Sequence, residues 1–279
     1  MCAALYRPGP PLDRFVDCFW HWDGYPAPAA KERALPSGSL DLIINLAEDR
    51  IRLFARDEET PLGPYPGILV TGAQAGYVVI GTAPRVSVMG VHFKPAGATP
   101  FLGVPAADLE STHAPLEALW GPSAAKLRAR LIEASTAVER FGLLEIALRA
   151  QLRPYDLHPG VAEALRQFED PGLRSVAEVN ARTGLSPRRL IACFREQIGL
   201  TPKAYWRVRR FQAALRHLEA MRDVRGAEVA AEHGYFDQAH FIRDFQDFAG
   251  LSPRAYLAQE VVRPNHVPLR GKNIQYAQP

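Results

Sequence analysis

"HGYFDQAHFIRDFQDFAGLSPRAYL", residues 233–257, combines a Gly-aromatic turn, an Asp, three Phe at helical spacing and a Gly-Leu-Ser-Pro restart. On a helical wheel Phe241, Phe245 and Phe248 share one side, and Ala239, Arg243 and Gln246 share the other. Gln238 and His240 fall in the first turn, with Asp237 ahead of them as the N-cap. The spacing predicts a short helix that packs three rings inward and presents a polar edge outward.

A fainter copy lies upstream. "AEVNARTGL" (177–185) matches "AEVAAEHGY" (227–235) at an offset of 50, sharing Ala, Glu, Val, a second Ala and Gly. Past the turn the offset becomes 51, pairing Leu190 with Phe241, Phe194 with Phe245, Gly199 with Gly250, Pro202 with Pro253 and Tyr205 with Tyr256. Each copy reads as a helix, a Gly turn and a second helix. In the first copy Ser186 is the expected N-cap and Pro187 the first helical residue. Leu190, Cys193, Phe194 and Gln197 lie on one side of that helix, with Arg188, Ile191, Ala192 and Arg195 around the other.

This is the helix-turn-helix pattern, whose second helix enters the DNA major groove. Between the copies "KAYWRVRRFQAALRHL" predicts a connecting helix about 25 Å long. Such a rod can hold two recognition helices about one duplex turn apart on one face of an asymmetric site. Residues 188–216 carry eight basic residues against one acid, whereas 217–262 carry four against eight. Phosphate affinity is therefore expected from Arg189, Arg195, Lys203, Arg207, Arg209 and Arg210.

The remaining chain reads differently. Residues 1–105 contain short β-type runs ("RFVDCFWHW", "LDLIINL", "RIRLFA", "GILVTG", "YVVIGT", "VSVMGVHF") bounded by turn formers. They predict a small barrel or sandwich of the cupin-like kind, with "NLAEDRIRL" as a hairpin around Glu48 and Asp49. Residues 106–157 read as a helical connector and dimerisation region, 158–262 as the DNA-binding domain, and 263–279 as a flexible tail. The expected fold is thus multidomain α+β.

Composition is that of a soluble globular protein: 47% hydrophobic, 23% charged, net charge +3. Cys2, Cys18 and Cys193 form neither a disulfide framework nor a CxxC pair, which fits a reducing compartment. No signal peptide or membrane span is expected, so the reading is cytoplasmic with no membrane partner.

The C-terminal residues resemble the AraC/XylS family of transcription regulators. The resemblance rests on Gly234-Tyr235, Asp237, His240-Phe241, Arg243, Phe245, Gly250, Ser252-Pro253 and Tyr256, and covers about 100 residues. It implies base contacts from Arg188, Ile191 and Ala192 in the first unit and from Gln238, Ala239, His240 and Arg243 in the second. Ile191 and Ala192 suit thymine methyls rather than bidentate hydrogen bonds. "LPSGSLDLIINL" and "GVHFKPAGATPFLGVPAADLEST" resemble β-rich sensor domains fused to such units. The resemblance implies a sequence-specific regulator that senses a small molecule, pairs as a homodimer through 115–152, and engages RNA polymerase if it activates.

Candidate pocket residues are Trp20, His21, Trp22, Asp41 and His92. An enzyme localised by the helical domain is the alternative. Residues 1–110 hold only His21 and His92 and no H-x-H pair, so no catalytic residue, cofactor or metal is expected.

Overall fold

A computed structural model describes residues 2–25, 29–82, 86–221, 226–259 and 265–269. Its strands are β1 (Cys2–Tyr6), β2 (Val16–Tyr25), β3 (Lys31–Ala34), β4 (Asp41–Asn45), β5 (Arg50–Phe54), β6 (Pro61–Pro66), β7 (Ile68–Thr71), β8 (Val78–Gly81), β9 (Val86–Phe93), β10 (His113–Pro115) and β11 (His266–Pro268). The helices are α1 (Thr99–Leu102), α2 (Leu116–Trp120), α3 (Ser123–Glu133), α4 (Ala137–Gln151), α5 (Pro159–Phe168), α6 (Val176–Thr183), α7 (Pro187–Ile198), α8 (Pro202–Ala220), α9 (Gly226–Glu232), α10 (Gln238–Ala249) and α11 (Pro253–Leu257).

The strands form two antiparallel sheets, ordered β1-β2-β9-β4-β7-β10 and β11-β3-β8-β5-β6. Period-2 alternation assigns the two faces of the first sheet. Phe19, Leu42, Ile44, Met89 and Val91 share a core with Leu127 and Leu131 of α3 and Phe141, Leu144 and Leu148 of α4. Trp20, Trp22, Ile43, Leu69 and Val88 face the other way, toward the second sheet. The expected sandwich and helical connector are both present.

Two expectations are corrected. "NLAEDRIRL" is not a hairpin: β4 pairs with β7 and β9, whereas β5 pairs with β6 and β8 in the opposite sheet. Asn45 shapes this crossover, accepting at Oδ1 from Ala47 N and Glu48 N and donating from Nδ2 to Arg50 O. The tail is not wholly loose either. Its residues 266–268 form β11, which pairs with β3 and seats Val267 in the core of the second helix-turn-helix unit; residues 270–279 lie outside the described ones. β10 also extends the β-rich part past residue 105.

The first helix-turn-helix unit shares one continuous core with the sandwich and connector, through Val179, Leu190, Phe194 and Tyr205. The second has its own core, built on Phe211, Phe241, Phe245, Phe248 and Tyr256 and joined by Leu35 from the β-rich domain. The helical C-terminal half therefore leans on the β-rich half at several points. Thr99 Oγ1 donates to Gln197 O, Arg195 pairs with Glu110 at 2.7 Å, and the ring of Tyr77 lies against Gly250.

Candidate nucleic-acid interface and sensor cavity

The two units are built alike. Ser175 caps α6 by accepting from Glu178 N, and Ser186 caps α7 by accepting from Arg189 N. Asp237 Oδ1 caps α10 by accepting from His240 N at 2.7 Å. Both turns pass through a left-handed residue, Gly184 and Gly234, each at φ 68°, where a side chain would be strained.

In α7, Leu190, Cys193, Phe194 and Ile198 are buried. The Phe194 ring meets Phe168 and Tyr205 edge-on at 5.8 and 5.4 Å. Arg188, Arg189, Ile191, Ala192 and Arg195 are exposed. In α10, Phe241, Phe245 and Phe248 are buried, while Gln238, Ala239, Arg243 and Gln246 are exposed. His240 is more constrained than its place in the first turn suggests. Its Nδ1 accepts from Phe236 N at 3.3 Å and its ring stacks edge-on against Tyr235, so it pins the turn ahead of α10.

The connecting helix α8 runs 19 residues, about 28 Å, and its cations are unequal. Lys203 is exposed, as is Arg189 on α7. Arg209 reaches both Glu169 oxygens at 2.7 and 2.8 Å. Arg207 pairs with Asp244 at 2.7 Å and Asp247 at 3.0 Å, and Arg210 with Asp244 at 3.2 Å. Arg210 also donates to Gly234 O and lies over the rings of Trp206 and Tyr235. Of the six cations expected on phosphates, Arg195, Arg207, Arg209 and Arg210 thus have intramolecular carboxylate partners. Helical spacing shows none of this, because every partner lies on another element. A cleft between the units also gathers Arg174, Lys203, Phe236 and Arg243.

Between the two sheets lies a cavity of about 310 Å³, within the range that small ligands occupy. Trp20, Trp22, Asp41 and His92 line it as expected. His21 does not. It alternates to the helix side, where its Nε2 lies 3.0 Å from Arg140 Nη1, and burial lowers its pKa. The indole Nε1 of Trp20 is buried and meets no acceptor among the described residues, which leaves a donor available to a guest. Gly90 makes room for that indole, since a Cβ there would come 2.6 Å from it.

Asp41 Oδ1 and His92 Nδ1 are 2.5 Å apart. Burial works against the imidazolium of His92, but Asp41 outweighs it and raises the pKa. His113, just past the expected domain edge, also lines the cavity; burial lowers its pKa to about 4. It therefore stays neutral at physiological pH and offers a ring nitrogen rather than a charge. Asn265 and His266, from the far end of the chain, complete the wall. That segment belongs to the expected tail, and no local residue pattern signals its return.

Residues 179–259 match the model of a helix-turn-helix domain. Residues 4–115 match a domain of unknown function, DUF6597, ending at β10. No curated protein matches the sequence. Among solved structures, ToxT from Vibrio cholerae is similar at 11% identity and a TM-score of 0.48, covering 86% of this chain and 97% of that one. An unsaturated fatty acid-bound form of wild-type ToxT from Vibrio cholerae strain SCE256 is similar at 9% identity and a TM-score of 0.48, covering 86% of this chain and 94% of that one. Two capped units with buried Phe faces, joined by one helix, make the C-terminal half a double helix-turn-helix domain.

Proposed function

We propose that this protein is a transcription regulator that reads an asymmetric DNA site through α7 and α10 and responds to a small molecule held between its two sheets. The observation that carries the reading is the pair of recognition helices, inner faces packed and outer faces polar, on a single connecting helix. Arg188, Ile191 and Ala192 meet bases in one groove, and Gln238, Ala239 and Arg243 in the next. Arg189, Lys203 and Arg174 serve phosphates. The test is fluorescence anisotropy on the upstream DNA of its own gene and on a scrambled duplex, across a salt series. Tight, salt-sensitive binding that prefers the upstream DNA supports the reading; equal weak binding to both counts against it.

Arg243→Ala is expected to cost about 1–3 kcal/mol at the specific site and relax base preference there. Lys203→Ala is expected to weaken specific and scrambled duplexes alike. Equal losses on both duplexes from Arg243→Ala would remove it from the base-reading set.

The cavity has a direct physical route to the DNA-binding half. Ala34, Leu35, Pro36, Ser37 and Ser39 line it, and the same strip touches α8. Gln212 Nε2 on α8 donates to Pro36 O at 2.7 Å and to Asn265 Oδ1 at 3.1 Å. Tyr205 and Val208 lie 3.4 Å from where a Cβ on Gly38 would stand. A guest that displaces this strip biases the helix joining the two readers. Ile43→Trp, which fills the cavity without a ligand, is expected to change DNA affinity by about 5-fold or more. In a Gln212→Ala background the change should largely disappear. Equal changes in both backgrounds would exclude this route.

A homodimer fits the outer face of the connector. Val138 and Ile146, two turns apart on α4, are 80% and 59% exposed, with Gly142 between them. Replacing both with Glu is expected to convert dimer to monomer by light scattering, with the fold intact. A wild-type chain that is already monomeric would end the proposal.

A further inference from the structure

The C-terminal end of α8 and the residues closing α9 bring together two imidazoles and a carboxylate outside every contact used above. His217 Nδ1 lies 3.0 Å from His233 Nε2 and 3.4 Å from Glu232 Oε2. The three ligand atoms all fall within 4.8 Å of one another. The rings stand edge-on, with centroids 5.3 Å apart at 76°, so their nitrogens converge.

We infer that His217, His233 and Glu232 form a binding site for a divalent transition-metal ion of the zinc class. Zinc takes imidazole nitrogen and carboxylate oxygen at about 2.0–2.2 Å, which sets neighbouring ligands of a tetrahedron about 3.3–3.5 Å apart. The separations of 3.0 and 3.4 Å lie close to that edge length. Two imidazoles and one carboxylate are a borderline donor set, suited to zinc, cobalt or nickel more than to magnesium or calcium. Glu232 is exposed, which leaves a side open for a water as the fourth ligand.

A hydrogen bond between these two ring nitrogens needs an N–H on one of them. With an ion both turn lone pairs to the metal, and the proton of His217 resides on its Nε2. No net proton is released from neutral rings. His217 stands on the connecting helix, whereas Glu232 and His233 lead directly into the turn before α10. An ion would therefore staple the second reading unit to its connector. The sequence concealed the site because Glu232 and His233 lie 15 and 16 residues after His217, far from any i, i+4 spacing on one helix.

The test uses the full chain after chelator dialysis, titrated with Co2+ and then challenged with Zn2+. The expected result is a set of four-coordinate Co2+ visible bands that saturates at one ion per chain and is abolished by Zn2+. The bands should be lost in His217→Ala and in His233→Gln, and retained in His92→Ala. His233→Gln keeps a hydrogen-bonding group beside His217, and circular dichroism confirms that each variant is folded. Absence of the bands in wild type, or their survival in either folded substitution, overturns the site and leaves an ordinary His–His hydrogen bond between helices. This outcome is independent of the DNA-binding reading, because the measurement involves no DNA.

Discussion

Asp244→Ala is expected to destabilise the second helix-turn-helix unit by about 3–5 kcal/mol, the cost of leaving a buried charge without its partner. Asp244 is 4% exposed on α10 and serves two guanidiniums. Arg210 is the more deeply buried of these, its side chain 11% exposed, so it bears most of the loss. Arg207 is about one third exposed and keeps Asp247, so its share is discounted for solvent screening. Native-state hydrogen exchange reads the effect locally. Protection of α10 amides should collapse toward that of a frayed segment, while α7 amides stay protected. The combined replacement Asp244→Leu with Arg210→Met should recover much of the loss, since apolar side chains of similar size can substitute for a buried pair. A fall in α10 protection of less than about 1 kcal/mol would mean that water already screens the pair.

Phe211→Ala is expected to cost about 3–5 kcal/mol through lost burial and the cavity left behind. Phe211 is 0% exposed on α8, with the rings of Phe245 and Phe248 at 5.3 and 5.1 Å. It is the pin that seats α10 on the connecting helix. Exchange protection should fall across α9 and α10, and affinity for the specific duplex should fall with it, because the second reader loses its fixed angle. Phe236→Ala is the control. That ring, beside the start of α10, is 93% exposed, so its removal should change stability by no more than about 0.5 kcal/mol. Similar losses from both substitutions would show that exposure does not separate their roles.

The connecting helix explains why these two effects matter for function. The rings of the first unit meet Tyr205 at one end of α8, while Phe211 holds the second unit farther along the same rod. Strain introduced at the Gln212 contact falls beside Phe211, close to the seat of α10. In the function proposed above, a guest in the cavity would act on the second unit over this short packed path, while the first unit is anchored by the contacts of Thr99 with Gln197 and of Arg195 with Glu110.

The repeat, its caps and its inward faces were legible in one dimension. Helical period, N-cap chemistry and a left-handed Gly turn are local properties, each fixed by residues within a few positions of one another. That is why Ser186, Asp237, Gly184, Gly234 and the three Phe of α10 were placed correctly from the chain alone. The short strands were legible for the same reason. Their partners were not: Asn45 through Arg50 looks like a hairpin turn and instead carries the chain from one sheet to the other.

Only the tertiary structure decided which cations are committed and which face of a strand is the cavity. Alternation along β2 separates Trp20 and Trp22 from His21 but does not say which side packs on helices; α4, more than a hundred residues later, settles that with Arg140. Arg195, Arg207, Arg209 and Arg210 look like phosphate ligands until Glu110, Asp244, Asp247 and Glu169 arrive from other elements. The return of Asn265 to the cavity wall follows the same logic. Local sequence fixes conformation within a few residues, whereas charge pairing, sheet order and cavity walls depend on contacts between distant segments that exist only once the chain has folded.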